Sequence, residues 1–463
     1  MATKTSSGTG IVLLLTCTAQ FMVVLDIAIV NVALPSIQVD LGVEQSTLQW
    51  IVIAYGLMLG GFLLLGGRMA DLLGRRRVLL TGLVLFSSAS LLAGVAGSAE
   101  LLIGARALQG FGAALIPPSA LSILAVTFAE GADRNRALGI YGAVAGISAS
   151  VGVIASGLLT DGPGWRWVFL INVPIGVLLV AAAATFLPAD ARDRHGERFD
   201  VAGAVTVTAG LLLLVYGLNR GAEFGWGSAS TLGLFAASAA MLSAFIRIEG
   251  RTRSPLIPGS AVRNRTLVAA NLSAFFTFGA FFSFIFLGSL LMQQVLGYSP
   301  TRTGVAWVAT TVTSFVAAAF TGGKLVGVLG VRTLLVAGQS LLAISVLLLT
   351  RVPAEAHYAT DLLPALLLAG VAGGLAAPAA QIGALSGVTH SATGLASGLV
   401  ETTREIGGAV GVAAVSAVLV SRAGLDAFHA AFWVIFAVAA LGALTAAFAF
   451  PRPKVEDLEP ARV

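Results

Sequence analysis

The chain is poor in the residues that keep a protein dissolved. Asp, Glu, Lys and Arg make up 11% of its 463 residues, against 57% hydrophobic ones, whereas a soluble domain carries roughly 25% charge. With a mean hydropathy of +0.93, that shortage excludes a soluble globule and leaves a polytopic membrane protein. Cysteine is nearly absent. Cys17 stands alone in the first apolar stretch, which excludes an intrachain disulfide and a thiolate metal site. The four histidines (His195, His357, His390 and His429) are scattered over expected loops and helix ends. No His/Asp metal spacing, nucleophile elbow or Walker loop occurs, so the expectation is no enzyme, no metal, no cofactor and no ATP-driven pump. Lys4, Lys324 and Lys454 are the only lysines, and such reliance on arginine points to a GC-rich bacterial genome. The first apolar run, residues 11–33, is too long for a signal-peptide core and contains Asp26, so no cleavable signal is expected.

What is abundant is apolar sequence in lengths that fit a bilayer. A helix crossing about 30 Å of hydrocarbon needs about 20 residues. Fourteen stretches qualify, near 11–33, 46–66, 77–97, 101–126, 136–160, 165–187, 200–219, 229–247, 265–293, 303–322, 333–351, 360–385, 394–420 and 427–450. With the N-terminus inside, twenty Lys and Arg fall in cytoplasmic segments and five (Arg166, Arg220, Arg302, Arg351 and Arg422) in outer loops. That asymmetry sets the orientation and predicts both termini in the cytoplasm. The net charge of +5 is thereby explained as topology, and a nucleic-acid partner is not expected.

Five charges remain inside expected spans: Asp26, Arg106, Glu401, Arg404 and Glu405. Each costs about 2.5–3.5 kcal/mol at a bilayer centre, or about 12–18 kcal/mol for all five unpaired, which rivals the net stability of a whole domain. They must face one another or a watery cavity.

The sequence also repeats itself. "GRMADLLGRRR" begins at Gly67 and "GKLVGVLGVRT" at Gly323; each has a basic residue after the first glycine and a second glycine seven residues on. Leu41-Gly42 recurs as Leu296-Gly297, with Trp50 and Trp307 soon after. The expected organisation is therefore a six-helix bundle over 1–190, two inserted helices with linkers over 191–255, and a second six-helix bundle with a tail over 256–463. Parallel repeats around a midplane site are an alternating-access architecture.

Four stretches carry a family resemblance: "LDIAIVNVALPSI" at 25–37, "GRMADLLGRRRVLL" at 67–80, "RALQGFGAA" at 106–114 and "GWRWVFLINVPIG" at 164–176. The chain resembles the fourteen-helix drug:proton antiporter branch of the major facilitator superfamily over nearly its whole length. The resemblance implies proton coupling through Asp26 and Arg106. It also implies a gate at the tight turn formed by Gly67, Asp71, Gly74, Arg75 and Arg76, which locks the two halves in one state. The second copy has Gly327 in place of Asp71, so one lock is complete. One departure stands out. The family's fifth-span antiporter motif, GxxxGPxxGG, reads "SASVGVIASG" here, with Ser148, Val153 and Ser156 at the expected Gly, Pro and Gly.

The residues support further expectations. Asp26 and Arg106 both sit about 8–11 Å below the outer surface at 1.5 Å per residue, so they can meet. Burial favours a neutral acid and a neighbouring guanidinium a charged one, so a pair that separates in one conformation can bind and release a proton. Glu401, Arg404 and Glu405 share one face of span thirteen. Glu401 is expected to pair with Arg404, leaving Glu405 as a deeper surplus acid, a second protonation site or a counter-charge for a cation. Phe275, Phe278, Phe282 and Phe286 form a stripe on span nine, with Asn271, Met292 and Gln293 as polar and adaptable additions. Such a wall suits flat apolar ligands and cations. Tyr55, Gln109 and Gln381 are candidates for the same cavity. Pro117-Pro118 and Pro378 are read as hinges near the path.

These observations together predict a proton-coupled exporter of amphipathic or cationic small molecules, acting as a monomer in a bacterial cytoplasmic membrane. A symporter or uncoupled facilitator is the alternative, followed by a non-transporting sensor.

Overall fold

The computed structural model describes residues 6–189, 200–252, 255–421 and 424–450. Among them all regular structure is helical. The helices are α1 (Ser6–Leu41), α2 (Gln45–Leu73), α3 (Arg75–Gly94), α4 (Ala99–Thr127), α5 (Ala132–Asp161), α6 (Trp167–Leu170), α7 (Asn172–Phe186), α8 (Val201–Phe224), α9 (Ala229–Glu249), α10 (Gly259–Arg263), α11 (Arg265–Leu290), α12 (Pro300–Phe320), α13 (Val326–Leu349), α14 (Leu363–Leu385), α15 (Thr393–Ser421) and α16 (Gly424–Ala449). Polar residues start several of them. Side chains of Ser98, Asp200, Ser228, Asn264 and Ser299 accept from the backbone N–H three residues on, satisfying groups a helix end leaves open.

Twelve stretches of the described residues are long and apolar enough to cross a membrane. They differ from the fourteen expected spans at two places. Residues expected as spans ten and eleven run on as one 49-residue stretch, Thr301–Leu349, interrupted by Gly330 at a non-helical φ of +74°. The fifth expected span is the 30-residue α5, which is not among the twelve. In addition, α1 continues through Pro35 to Leu41, past the expected boundary at 33, and the sixth span, Trp167–Phe186, comprises α6 and α7 joined through Ile171, whose φ of −59° and ψ of −30° are helical.

Helices of the first part pack among themselves, α1 on α5 and α4 on α2 and α3; those of the last part do likewise, α11 on α15 and α16 and α14 on α12 and α13. Between these parts α2 packs on α15 and α5 on α12, while the α8–α9 hairpin lies against α2 and α15. The charge ledger is only partly visible. Lys4, Arg192, Arg194, Arg198, Arg253, Arg422, Arg452, Lys454 and Arg462, with His195 and the 190/191 boundary, lie outside the described residues.

The repeat reappears in the backbone. Gly42 and Gly297 have φ of +62° and +64°, Gly74 and Gly330 +104° and +74°, and Gly131 and Gly387 +124° and +65°. The last two pairs are spaced by the same 256 residues as the loop motifs. Positive φ is cheap only for glycine, so these positions mark turns that both copies must make. The basic residues after the second glycine match too. Arg76 donates to the Ala184 carbonyl at the end of α7, and Arg332 donates to the Ala447 carbonyl at the end of α16 at 2.6 Å. A cation at a helix C-terminus is favourable in both places.

Candidate functional site

Asp26 of α1 and Arg106 of α4 meet as expected: Arg106 Nη1 lies 2.5 Å from Asp26 Oδ2. Close helix approaches make this possible. A Cβ on Gly110 would fall 2.9 Å from the Tyr55 Cα, and one on Gly152 2.8 Å from the Ala28 Cβ, so only glycine lets α4 seat on α2 and α5 on α1. The pair sits in a closed polar shell. Gln109 Nε2 donates to Asp26 Oδ1 at 2.8 Å and to Ser90 Oγ at 2.6 Å. Arg106 Nη1 donates to Gln109 Oε1 at 2.7 Å, and its Nε to the Ile51 carbonyl at 3.1 Å. Asn172 Nδ2 donates to Asp26 Oδ1 at 2.8 Å. The Arg106 guanidinium carbon stands 4.1 Å from the Tyr55 ring centroid and 5.8 Å from that of Phe169, a desolvated cation–π arrangement. Asp26, Arg106, Gln109, Ser90 and Asn172 are all buried.

The sequence reading placed Gln109 and Tyr55 in a ligand cavity with the phenylalanine stripe. The structure puts both around the Asp26–Arg106 pair instead. Asn172 was missed, although it lies inside the quoted stretch at 164–176. That stretch also supplies Phe169 to Arg106, and Trp165 and Arg166 to Asp40 at the exposed end of α1. There Arg166 Nη1 donates to Asp40 Oδ2 at 2.8 Å and Trp165 Nε1 at 3.0 Å, and these bonds, Arg166 first, hold the Asp40 carboxyl below its ordinary range.

The second cluster is on α15. Arg404 Nη1 lies 2.8 Å from Glu401 Oε2, and Arg404 Nη2 lies 2.9 Å from Glu405 Oε1. The expected Glu401–Arg404 pair forms, but the expectation of Glu405 as a surplus acid is corrected. Arg404 bridges both acids, and Glu401 is the fully buried one while the Glu405 side chain keeps 21% exposure. The Arg404 contact to Glu401 is an ion pair off the hydrogen-bond line, so Glu401 Oε2 has a counter-charge but no aligned donor. Gln381 Nε2 reaches Glu401 Oε1 at 3.4 Å. Across the interface, Tyr141 of α5 donates to Gln20 Oε1 at 2.8 Å and to the Pro117 carbonyl at 3.4 Å, and Pro378 of α14 is a neighbour of Gly142. The prolines thus lie at the level where the two parts of the chain meet, within helices that run on through them.

The phenylalanine stripe is half-buried, and Phe278 and Phe282 face α15. Gly407 is closed in by the Phe275 backbone and Gly408 by the Phe282 ring, while Phe278 lies 5.4 Å from the Arg404 guanidinium carbon and Phe286 packs on the neighbouring apolar core. Asn271 accepts from Thr403 Oγ1 at 3.1 Å, tying α11 to α15. Gln293 is exposed in the π-helical turn Leu291–Val295, 22 residues and so about 33 Å along the helix from Asn271. One ligand site cannot contain both, which corrects that grouping. Met292 is buried.

At the end carrying the Gly67–Arg77 turn, the two parts of the chain are fastened together. Asp71 accepts from the backbone N–H of Gly394 (2.9 Å) and Leu395 (2.7 Å) at the start of α15. A carboxylate there satisfies open donors and meets the positive end of the helix dipole. Arg75 donates to Ser122 Oγ at 2.8 Å and to the His390 carbonyl, and lies 3.6 Å from Asp71. Gly67 abuts Gly394 and Gly398, with no room for a side chain. The Arg76 bond to the Ala184 carbonyl lies within the first part. On the other side Gly139 and Gly322 touch backbone to backbone, Arg134 Nη2 donates to the Leu385 carbonyl at 2.6 Å, and Glu130 Oε1 accepts from Gly387 N at 3.1 Å. Arg134, Glu130 and the Ser122–Thr393 hydroxyl contact of 2.8 Å had no motif to announce them. In the fifth span α5 has no proline break; Ser148 bonds Val144 within its own helix, Ser156 bonds the Ile29 carbonyl of α1, and the Val153 side chain lies outside the described residues.

A many-helix membrane protein with buried ion pairs and a closed seam between two sets of helices has the build of a transporter. The Major Facilitator Superfamily model matches residues 16–306 and 270–462, and the chain belongs to that family of transporters. It is 39% identical to the puromycin resistance protein pur8 of Streptomyces alboniger, over 88% of this chain and 81% of that one. It is 38% identical to the cephamycin export protein CmcT of Amycolatopsis lactamdurans (89% and 85%), and 32% to the multidrug transporter protein MdtP of Bacillus subtilis (88% and 74%). Among solved structures, the human organic anion transporter MFSD10 (TETRAN) superposes with a TM-score of 0.72 at 16% identity, over 95% of this chain and 99% of that one. At that identity the likeness concerns the fold.

Proposed function

We propose that the protein exports amphipathic or cationic small molecules across a bacterial cytoplasmic membrane in exchange for protons, as a member of the fourteen-helix branch. The observation that carries the proton half is the Asp26–Arg106 pair, a fully buried carboxylate whose counter-ion sits on another helix. Movement of α1 against α4 can make and break this pair, which is what coupling to a proton requires. The gradient supplies about 2.3 kcal/mol per charge per 100 mV. Export of small molecules is supported by the relatives named for resistance or export. The half-exposed Glu405 beside Arg404 and Phe278 suits a cation with an aromatic surface.

Fourteen crossings are the reading that best fits the lengths. A stretch of 49 residues, about 73 Å of helix, is more than two bilayer cores, so Thr301–Leu349 crosses twice around Gly330, and α5 adds one more. An even number puts both termini on one side, the cytoplasmic one by the arginine asymmetry. The seam at the Gly67–Arg77 turn then closes the cytoplasmic end. We read 1–190 and 256–463 as the two moving bundles, with 191–255 as an inserted hairpin, and the protein as a functional monomer.

Ethidium accumulation in cells tests export. Expression lowers steady-state ethidium, a protonophore restores it, and the Asp26→Asn variant does not lower it. Lowered ethidium that survives the protonophore would refute proton coupling.

A further inference from the structure

The Asp26 carboxylate receives three donors: Arg106 on Oδ2, and Gln109 and Asn172 on Oδ1. That shell suits the charged acid and offers the protonated one nothing, because a buried carboxyl O–H needs an acceptor. Three nearby acceptors already take a bond each: Gln109 Oε1 and the Ile51 carbonyl accept from Arg106, and Ser90 Oγ accepts from Gln109. One takes none: Asn172 Oδ1 is buried and has no hydrogen-bond partner among the described residues.

Asn172 and Gln109 are both amides on Asp26, but they are held differently. The Gln109 amide is engaged at both ends, so turning it over would break its bonds to Ser90, Arg106 and Asp26. The Asn172 amide has one bond. The terminal torsion of an asparagine is broad and roughly two-fold, so half a turn puts Oδ1 where Nδ2 was. Asn172 is also the first residue of α7, and α6, just before it in the same span, carries Phe169 to Arg106. The same span therefore touches both members of the ion pair.

Resting on the reading of Asp26 as the coupling acid, we propose that Asn172 is a positioning residue that serves both protonation states of Asp26, donating through Nδ2 to the carboxylate and, after half a turn, accepting through Oδ1 from the Oδ1–H of the acid. One proton passes from a solvent hydronium, whose O–H bond breaks and leaves water, to Asp26 Oδ1, where one O–H bond forms; the Asn172 Nδ2 hydrogen bond is exchanged for the new one to Oδ1. Arg106 then loses its counter-charge while retaining Gln109 Oε1, the Ile51 carbonyl and the Tyr55 ring, so its tie to α1 is weakened while its other contacts remain.

The test is infrared difference titration of the purified protein without substrate, following the protonated carboxyl band with Asp26→Asn as the blank. In Asn172→Leu both states lose their partner. The midpoint then stays within about half a pH unit of the parent, while the band moves to that of a carboxyl without a hydrogen bond. A merely structural donor would stabilise the carboxylate alone. Its loss would raise the midpoint by about one to two units, the worth of a hydrogen bond to a charged group, and leave the band in place; that result overturns the proposal. Asn172→Asp, of the same size, is the second variant. It shares a proton with Asp26 and raises the midpoint by more than one unit; an unmoved midpoint would show that residue 172 does not address the Asp26 proton. A parent protein with no titrating Asp26 band would remove the coupling reading itself, and this proposal with it, whereas a titrating band with no effect of either variant removes the proposal alone.

Discussion

Asp71→Ala should open the end of the molecule that the Gly67–Arg77 turn closes. Its carboxylate is 1% exposed and accepts two backbone N–H groups at the start of α15. A hydrogen bond to a charged group is worth about 1.5–3 kcal/mol when lost in a buried place, and water repays part of that once the seam parts. A net shift of about 2–3 kcal/mol follows, or about 30- to 150-fold toward the opened state at 1.4 kcal/mol per factor of ten. Asp71→Asn keeps one oxygen acceptor and should shift it about tenfold. The assay is a distance distribution between spin labels at Leu73 and Thr389, which are exposed on either side of the seam, after Cys17→Ser. The parent should give one short population, Asp71→Asn a minor long one, and Asp71→Ala a predominant long one. Identical distributions in all three would refute the argument that Asp71 holds α15 by its open N-terminal donors.

Gly398→Leu should act in the same sense and more strongly, because a side chain there meets the Gly67 Cα and the Leu63 carbonyl; the closed seam cannot form, and substrate exchange should fall to background while folded yield persists. Arg404→Met leaves Glu401 buried without a counter-charge and should cost about 3–5 kcal/mol, read as a lower melting temperature that Glu401→Gln in the same chain partly restores. The Asp40–Arg166 contact predicts a pH window. Because the Asp40 carboxyl is held below its ordinary range, its contribution is complete above the unfolded value near about 4 and is lost as pH falls through the lower folded value. Parent and Asp40→Asn melting temperatures should therefore differ by a constant amount from pH 5 to 8 and converge only below about pH 4.

How much of this was legible from sequence follows from what kind of signal each feature leaves. Helix lengths were readable because a bilayer core demands long apolar runs. The Asp26–Arg106 contact was readable from equal depth and opposite charge. Some helix seams are built on glycine pairs four residues apart; Gly370 and Gly374 abut Thr310 and Ser314 of α12, and Gly407 and Gly411 abut Phe275 and Gly279 of α11. Gly56 of a similar pair meets nothing, which shows how common that spacing is by chance. Neutral partners were not legible. Asn172, Gln20 and Ser90 carry no charge to set against a membrane cost, so nothing in one sequence marks them until three-dimensional packing brings them to Asp26, Tyr141 and Gln109. Direction was likewise hidden: a stripe such as Phe275 to Phe286 reads the same whether it lines a cavity or, as found at Gly407 and Gly408, packs a neighbouring helix. Nor does spacing tell which acid in a triplet is buried, and the rotation of α15 against α14 makes it Glu401.

Proteoliposomes with an imposed pH gradient test the central claim most directly, by following ethidium and internal pH together for the parent, Asp26→Asn and Glu405→Gln. Ethidium should move against the proton flow in the parent, not be driven by the gradient in Asp26→Asn, and move more weakly in Glu405→Gln. Ethidium and protons moving in the same direction, or gradient-driven exchange that survives Asp26→Asn, would contradict that claim.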